Sequence, residues 1–124
     1  MRIFKTKWFH RWARREQLTD KALKNAVEDM MRGLVDVNLG GYVYKQRIPL
    51  QGRGKSGGLR TLIAFKGFGK AFFIYGFAKN KQANVADDEL KILRVLAVKL
   101  LEYKADDLQR MVVAGELIEV VSYE

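Results

Sequence analysis

The 124-residue sequence has no cysteine, one histidine (His10) and one proline (Pro49). The first absence excludes disulfides and thiolate-zinc sites. A lone histidine excludes a His-rich metal site and a two-histidine acid–base pair. A single proline beside 48% hydrophobic residues argues for an ordered globule, and the length suits one domain with a modest core. No apolar run reaches the roughly 18 residues that suggest a membrane span. The N-terminus "MRIFKTKWFHRWARR" lacks the apolar stretch and cleavage site of a secretory leader. As a basic amphipathic helix it can lie on an anionic membrane, but Trp8, Phe9 and Trp12 share one helical face, and core packing is the expectation. A cytoplasmic protein without membrane contact is expected.

The other absence is local. Residues 37–86 contain nine Lys or Arg and no Asp or Glu, where an even spread of the 14 acids would place roughly five or six. Residues 1–85 hold 18 basic and 5 acidic side chains, a net of +13, whereas residues 86–124 hold 5 and 9, a net of −4. A solvated face normally mixes signs. A block of one sign reads as the electrostatic footprint of a polyanion, with nucleic acid the leading candidate.

Hydrophobic spacing orders the chain. Arg2-Ile3-Phe4 reads as a short strand entering a helix from about Lys5 to Glu16. Thr19 or Asp20 then caps a second helix with Leu23, Ala26, Val27, Met30, Met31 and Leu34 on its buried face and Gly33 near its end. After Gly40-Gly41 the period changes to two. "YVYKQRIPL" puts Lys45 and Arg47 on one face of a strand, residues 59–66 form the next, and "KAFFIYGFA" returns as a third after the Gly67-Phe68-Gly69 turn. This is an antiparallel meander, and its third strand, apolar on both faces, is expected to be central. Asn84 is placed to cap a helix from near Asp87, striped with Leu90, Leu93, Ala97 and Leu100. A further helix, about 105–114, stops at Gly115, and "LIEVV" either adds an edge strand or trails off. The class is α+β, with one domain over 1–124.

The stretch "QGRGKSGGLR" (51–60) overlaps two nucleotide signatures, since Gly52, Gly54 and Gly57 fit G-x-G-x-x-G and Gly54-Lys55-Ser56 fits the end of a P-loop. Neither holds. The P-loop's first glycine is Pro49 here, both motifs must open a helix that receives the phosphate, and residues 59–65 read as a strand. No acid follows at about 20 residues to hold a ribose. The remaining readings are a flexible, charge-solubilised hairpin loop or a loop that approaches an anion.

The basic block has no carboxylate, imidazole or thiol, so no metal, cofactor or triad is expected there. Asp87, Asp88 and Glu89 read as a helix start favoured by the macrodipole. RNA relaxes the demand on the protein, because its 2′-hydroxyl is a nucleophile beside the scissile phosphate. Cations that stabilise charge on the phosphoryl oxygens then supply much of what an enzyme must add. Lys45, Arg47 and Arg60 on neighbouring strands, Lys55 on the loop between them, and Lys79 and Lys81 after the third strand form a candidate phosphate cradle. Arg53 and Lys66 extend the candidate RNA-binding set. Tyr42, Tyr44 and Tyr75 either stack on bases or donate a proton, or they simply pack in the sheet.

"YKQR" followed by "GRGKSGGLRTLIAF" and "AFFIYGFAKN" resembles the RelE superfamily of bacterial toxins, and in particular its HigB-like branch, from about residue 2 to residue 103. The resemblance implies N-terminal helices packed on a twisted antiparallel sheet, with the acidic segment 104–124 as a helical extension. It also implies a metal-independent endoribonuclease that cuts mRNA on the translating ribosome. Such a toxin is held inactive by an antitoxin, expected to be a helix-turn-helix protein. Lys45 and Arg47 match the family's basic strand pair, Arg60 the arginine at the scissile phosphate, and Lys79 the basic residue after the last core strand. Lys45, Arg47, Arg60 and Lys79 are therefore the catalytic candidates, with Arg53, Lys55, Lys66, Tyr75 and Lys81 as RNA contacts. Asn80 and Lys81 stand where many relatives carry an acid or leaving-group stabiliser, so the general acid is unassigned. Two rivals share the scaffold: a toxin that poisons DNA gyrase, and a nucleic-acid binder that does not cleave.

Overall fold

Thr6 turns a strand into a helix. Its backbone is extended, and its Oγ1 accepts a hydrogen bond from Phe9 N at 3.2 Å, so β1 (Arg2–Thr6) passes directly into α1 (Lys7–Arg15). Thr19 repeats the device on Ala22 N at the head of α2 (Asp20–Met31). These elements belong to a computed structural model that describes residues 1–49, 58–67 and 69–121. The loop carrying Arg53 and Lys55 lies outside the described residues, as does Phe68 of the expected turn.

Leu23, Ala26, Val27 and Met30 form the buried face of α2. Met31 and Leu34, expected beside them, are exposed. The helix ends at Met31, and Gly33, at a φ of +84°, turns the chain before Leu34 can continue the stripe.

The remaining strands are β2 (Val37–Asn38), β3 (Val43–Ile48), β4 (Leu59–Phe65), β5 (Lys70–Ala78) and β6 (Leu117–Glu119), arranged β2-β3-β4-β5-β1-β6. The meander β3-β4-β5 is antiparallel, and β5 sits inside the sheet with apolar residues on both faces. β1 adds the one parallel pairing among the described residues, from Arg2 against Lys70 to Lys5 against Phe73, so the sheet is mixed rather than wholly antiparallel. A parallel neighbour needs a long crossover, and here everything from α1 to β4 supplies it.

The N-terminal helices cover one face of the sheet, where Phe9, Trp12, Leu23 and Val27 pack with Ile63 and Phe73. The C-terminal helices, α3 (Asp87–Glu102) and α4 (Ala105–Val113), cover the other, where Leu93, Ala97, Leu100 and Leu108 meet Phe4, Leu62 and Phe72. Arg94 anchors α3 by donating to the Leu39 carbonyl. Its stem lies so close to the β2–β3 turn that a Cβ on Gly41 (φ +59°) would stand 2.9 Å from Arg94 Cγ. At the chain's end β6 pairs with β1, Arg2 forks onto the Glu119 carboxylate, and Leu108 and Leu117 are fully buried. Asp20 ties three segments together: Oδ1 accepts from buried Lys5 Nζ and Oδ2 from Val121 N, each at 2.9 Å. No helix among the described residues is long and apolar enough to cross a membrane.

Candidate nucleic-acid interface

Residues directly opposite in a ladder share a face of the sheet. Arg47 lies opposite Arg60, which lies opposite Phe77; Lys45 lies opposite Leu62, which lies opposite Tyr75. Two adjacent rows across β3, β4 and β5 therefore place Lys45, Arg47, Arg60 and Tyr75 on the face that α3 packs against. The next row, Val43, Ala64 and Phe72, belongs to the core beneath α3 and α4. The Lys45 row still holds Leu62 in that core, and the Arg47–Arg60 row is the next one beyond it.

Two arginines facing each other across a ladder repel. The described residues offer no carboxylate to Arg60, whose Nη1 makes a 3.4 Å contact to the Gly58 carbonyl. Arg47's backbone N–H is held at 2.6 Å by Asp36 Oδ2, which fixes the strand. Lys45 Nζ donates to Asn84 Oδ1 at 3.3 Å. Asn84 is thus occupied with the cradle and does not cap α3; Ala86 holds the cap position without a side-chain hydrogen bond. The helix begins two residues later than an Asn84 cap would allow.

Of the three tyrosines, only Tyr75 stands in these rows. Tyr44 points into the α1/α2 core, edge-on to Phe65 with ring centroids 6.0 Å apart. Tyr42 is exposed at the far turn with Lys66 Nζ 5.3 Å from its ring centroid. Burial, and next the negative charge of Glu89, push the Tyr75 hydroxyl's pKa up, so it stays protonated at neutral pH. Its ring is stacked on Trp8, with centroids 4.8 Å apart and planes 14° from parallel.

The other candidates divide. Lys79 and Lys81 are exposed in the turn after Ala78, at the cradle's end of β5. Lys66 follows the opposite end of β4, six residues from Arg60 and so about 20 Å away along the strand; it is not brought together with the cations. Arg53 and Lys55 lie outside the described residues. Trp8, Glu89 and Asn84 were not singled out as site residues by sequence reasoning. Their approach depends on how α1 and α3 dock, for which local spacing carries no signal.

His10 lies in α1, on the sheet's other side. Its Nδ1 is buried without a hydrogen-bond partner among the described residues. Burial, and then the charges of Lys5 and Arg14, lower its pKa. Among the described residues no group of three or more His, Cys, Asp or Glu side chains is placed to hold a metal ion.

A row of cations on one sheet face, flanked by a phenol and an aromatic stack, suits a phosphodiester chain with its bases at the side. No curated protein matches the chain. Residues 1–120 match the family described as the RelE toxin of the RelE/RelB toxin-antitoxin system, and the chain belongs to that family.

Proposed function

We propose that this protein is a HigB-like, metal-independent endoribonuclease that cuts mRNA on the ribosome and is silenced by a RelB-like antitoxin. The observation that carries the reading is the row containing Arg47 and Arg60, with Lys45 one row away on the same face. An RNA phosphate in that cradle relieves the repulsion between the cations. The 2′-oxygen bonds to phosphorus as its proton leaves to water, and the bond to the 5′-oxygen breaks, that oxygen being protonated as it departs. The negative charge gathered on the phosphoryl oxygens is stabilised by Arg60 and Arg47 more than in the ground state. Lys45 orients the chain, Lys79 extends the cationic path, and Tyr75, protonated and one row from Arg60, is the neutral donor on this face. No imidazole joins them. A site with so little acid–base equipment acts on RNA held in line by a larger partner, and a surface of +13 over residues 1–85 is steered towards ribosomal RNA.

One labelled transcript, incubated with the protein alone and in a programmed ribosome complex, tests the reading. Cleavage is expected within A-site codons, little on naked RNA, unchanged by a chelator, and leaving a 2′,3′-cyclic phosphate or 3′-phosphate. A 3′-hydroxyl product, or activity abolished by chelator and restored by magnesium, overturns the mechanism. Equal cutting of both substrates overturns ribosome dependence, and cutting of neither favours a binder or a gyrase poison on the same scaffold.

A further inference from the structure

β1 leaves the sheet early. Its pairing with β5 ends at Lys5 against Phe73, so the second half of β5 has α1 alongside it instead of a strand. Trp12 lies directly on Gly76, where an added Cβ would stand 2.1 Å from the indole. Between this half of β5 and α1 is a cleft of about 400 Å³, within the ~300–1,000 Å³ of small-molecule sites. Its walls include Trp8, Tyr75, Arg15, Glu16, Lys81 and Gln82.

Three features of this cleft suit a nucleobase. The aromatic planes are nearly aligned, with Trp8 14° from Tyr75 and 11° from buried Trp12, so a flat ring can lie against the exposed Trp8 in the same orientation. Trp8 is 44% exposed, against the core packing expected for it, while Phe9 and Trp12 beside it are buried, which leaves indole surface open to a ligand. Finally, Arg15 and Glu16 are consecutive at the end of α1, and among the described residues neither side chain has a hydrogen-bond or ion-pair partner.

From these we infer that the cleft between α1 and the open edge of β5 is a guanine-binding subsite that sets where the RNA is cut. This rests on the RNA-cleavage reading. Guanine presents two adjacent donors, N1–H and the 2-amino group, which match a carboxylate; its O6 and N7 match an arginine or amide. Glu16 takes the first role, and Arg15 and Gln82 take the second. The cleft and Arg60 lie on opposite sides of β5, one strand spacing of ~4.8 Å from β4 to β5, and Lys81 reaches the cleft from the turn that also bears Lys79. A nucleotide whose phosphate lies on the cradle can thus put its base against Trp8.

The test is titration of the intact protein with each of the four 2′-deoxynucleoside 5′-monophosphates, followed by tryptophan fluorescence. dGMP is expected to bind at least about tenfold more tightly than the other three, as one good bidentate contact provides. Trp8→Phe should remove most of the quenching. Glu16→Gln, which preserves side-chain shape, should abolish the guanine preference, and Gln82→Ala should weaken dGMP binding. Equal affinities, no quenching up to millimolar nucleotide, or a preference that survives Glu16→Gln overturns the inference. Nucleotide binding does not depend on cleavage. A protein that binds dGMP through Glu16 but cuts no RNA on the ribosome overturns the nuclease reading; one that cuts RNA but binds the four alike overturns only the subsite.

Discussion

One face of the sheet has two ends with opposite character. At one end Val43, Leu62, Ala64 and Phe72 lie under α3 and α4 and are wholly buried. At the other, two residues further along β3 and β4, the same face presents Lys45, Arg47 and Arg60. Along β3 and β4 the alternation runs on across the boundary, while the pairing with β5 shifts register there, between Leu62 and Ile63; the outward residues of β3 and β4 change from apolar to cationic. The first end exists to be covered. At the second the three cations are half-buried rather than enclosed, and three like charges stand where apolar residues would otherwise add stability. The fold thus separates the part that supplies stability from the part exposed to a ligand, within the length of a single strand.

Substitutions at the two ends should therefore separate stability from activity. Leu62→Ala removes a fully buried side chain at the boundary and should destabilise by about 2–5 kcal/mol, read as a lower urea midpoint. Arg60→Ala, two residues away, should reduce ribosome-dependent cleavage by about 100- to 1,000-fold. Its urea midpoint should stay level or rise slightly, since a repulsive cross-strand pair is removed. If Arg60→Ala instead unfolds the protein, or keeps wild-type growth inhibition at equal expression, the division between the two ends fails.

Two smaller effects probe the opposite face and the sheet's far edge. The folded pKa of His10 lies below its ordinary 6.5, so its share of stability is present above 6.5 and is lost as pH falls from there through the folded value. His10→Gln should flatten the melting temperature against pH in that window. The Arg2 hydrogen bond holds the Glu119 carboxyl below 4.5, and that contribution disappears only as pH falls below 4.5. Because Arg2 and Glu119 are 42% and 35% exposed, Glu119→Gln should destabilise by no more than about 0.2–1 kcal/mol at neutral pH, detectable as a slightly lower urea midpoint.

Much of this was legible because the physics was local. Thr6 and Thr19 announce helices through the hydroxyl each offers to an orphan N–H, and the helices start one residue after them. The period of two in "YVYKQR" puts Lys45 and Arg47 on one face whatever the strand pairs with. An apolar run without alternation marked β5 as interior. The Asn84 expectation failed because a capping residue and a loop residue hydrogen-bonded to a distant lysine have the same local signature. Leu34 failed because the helical stripe was extended past the residue where Gly33 redirects the chain.

The sequence alone determined the class of the fold, the order of the four helices and of every strand but the short β2 and β6 among the described residues, the one-sign charge block and the pairing of basic residues on a strand face. These depend on side-chain period and composition, which act over a few residues. Only the tertiary structure decided that β1 lies parallel to β5, seventy residues away, and ends early enough for α1 to line β5's open edge. Only it set Arg47 opposite Arg60, brought Asn84 to Lys45, and stacked Trp8 on Tyr75. Those contacts depend on which apolar faces find one another when the core closes, and that choice belongs to the whole chain rather than to any segment of it.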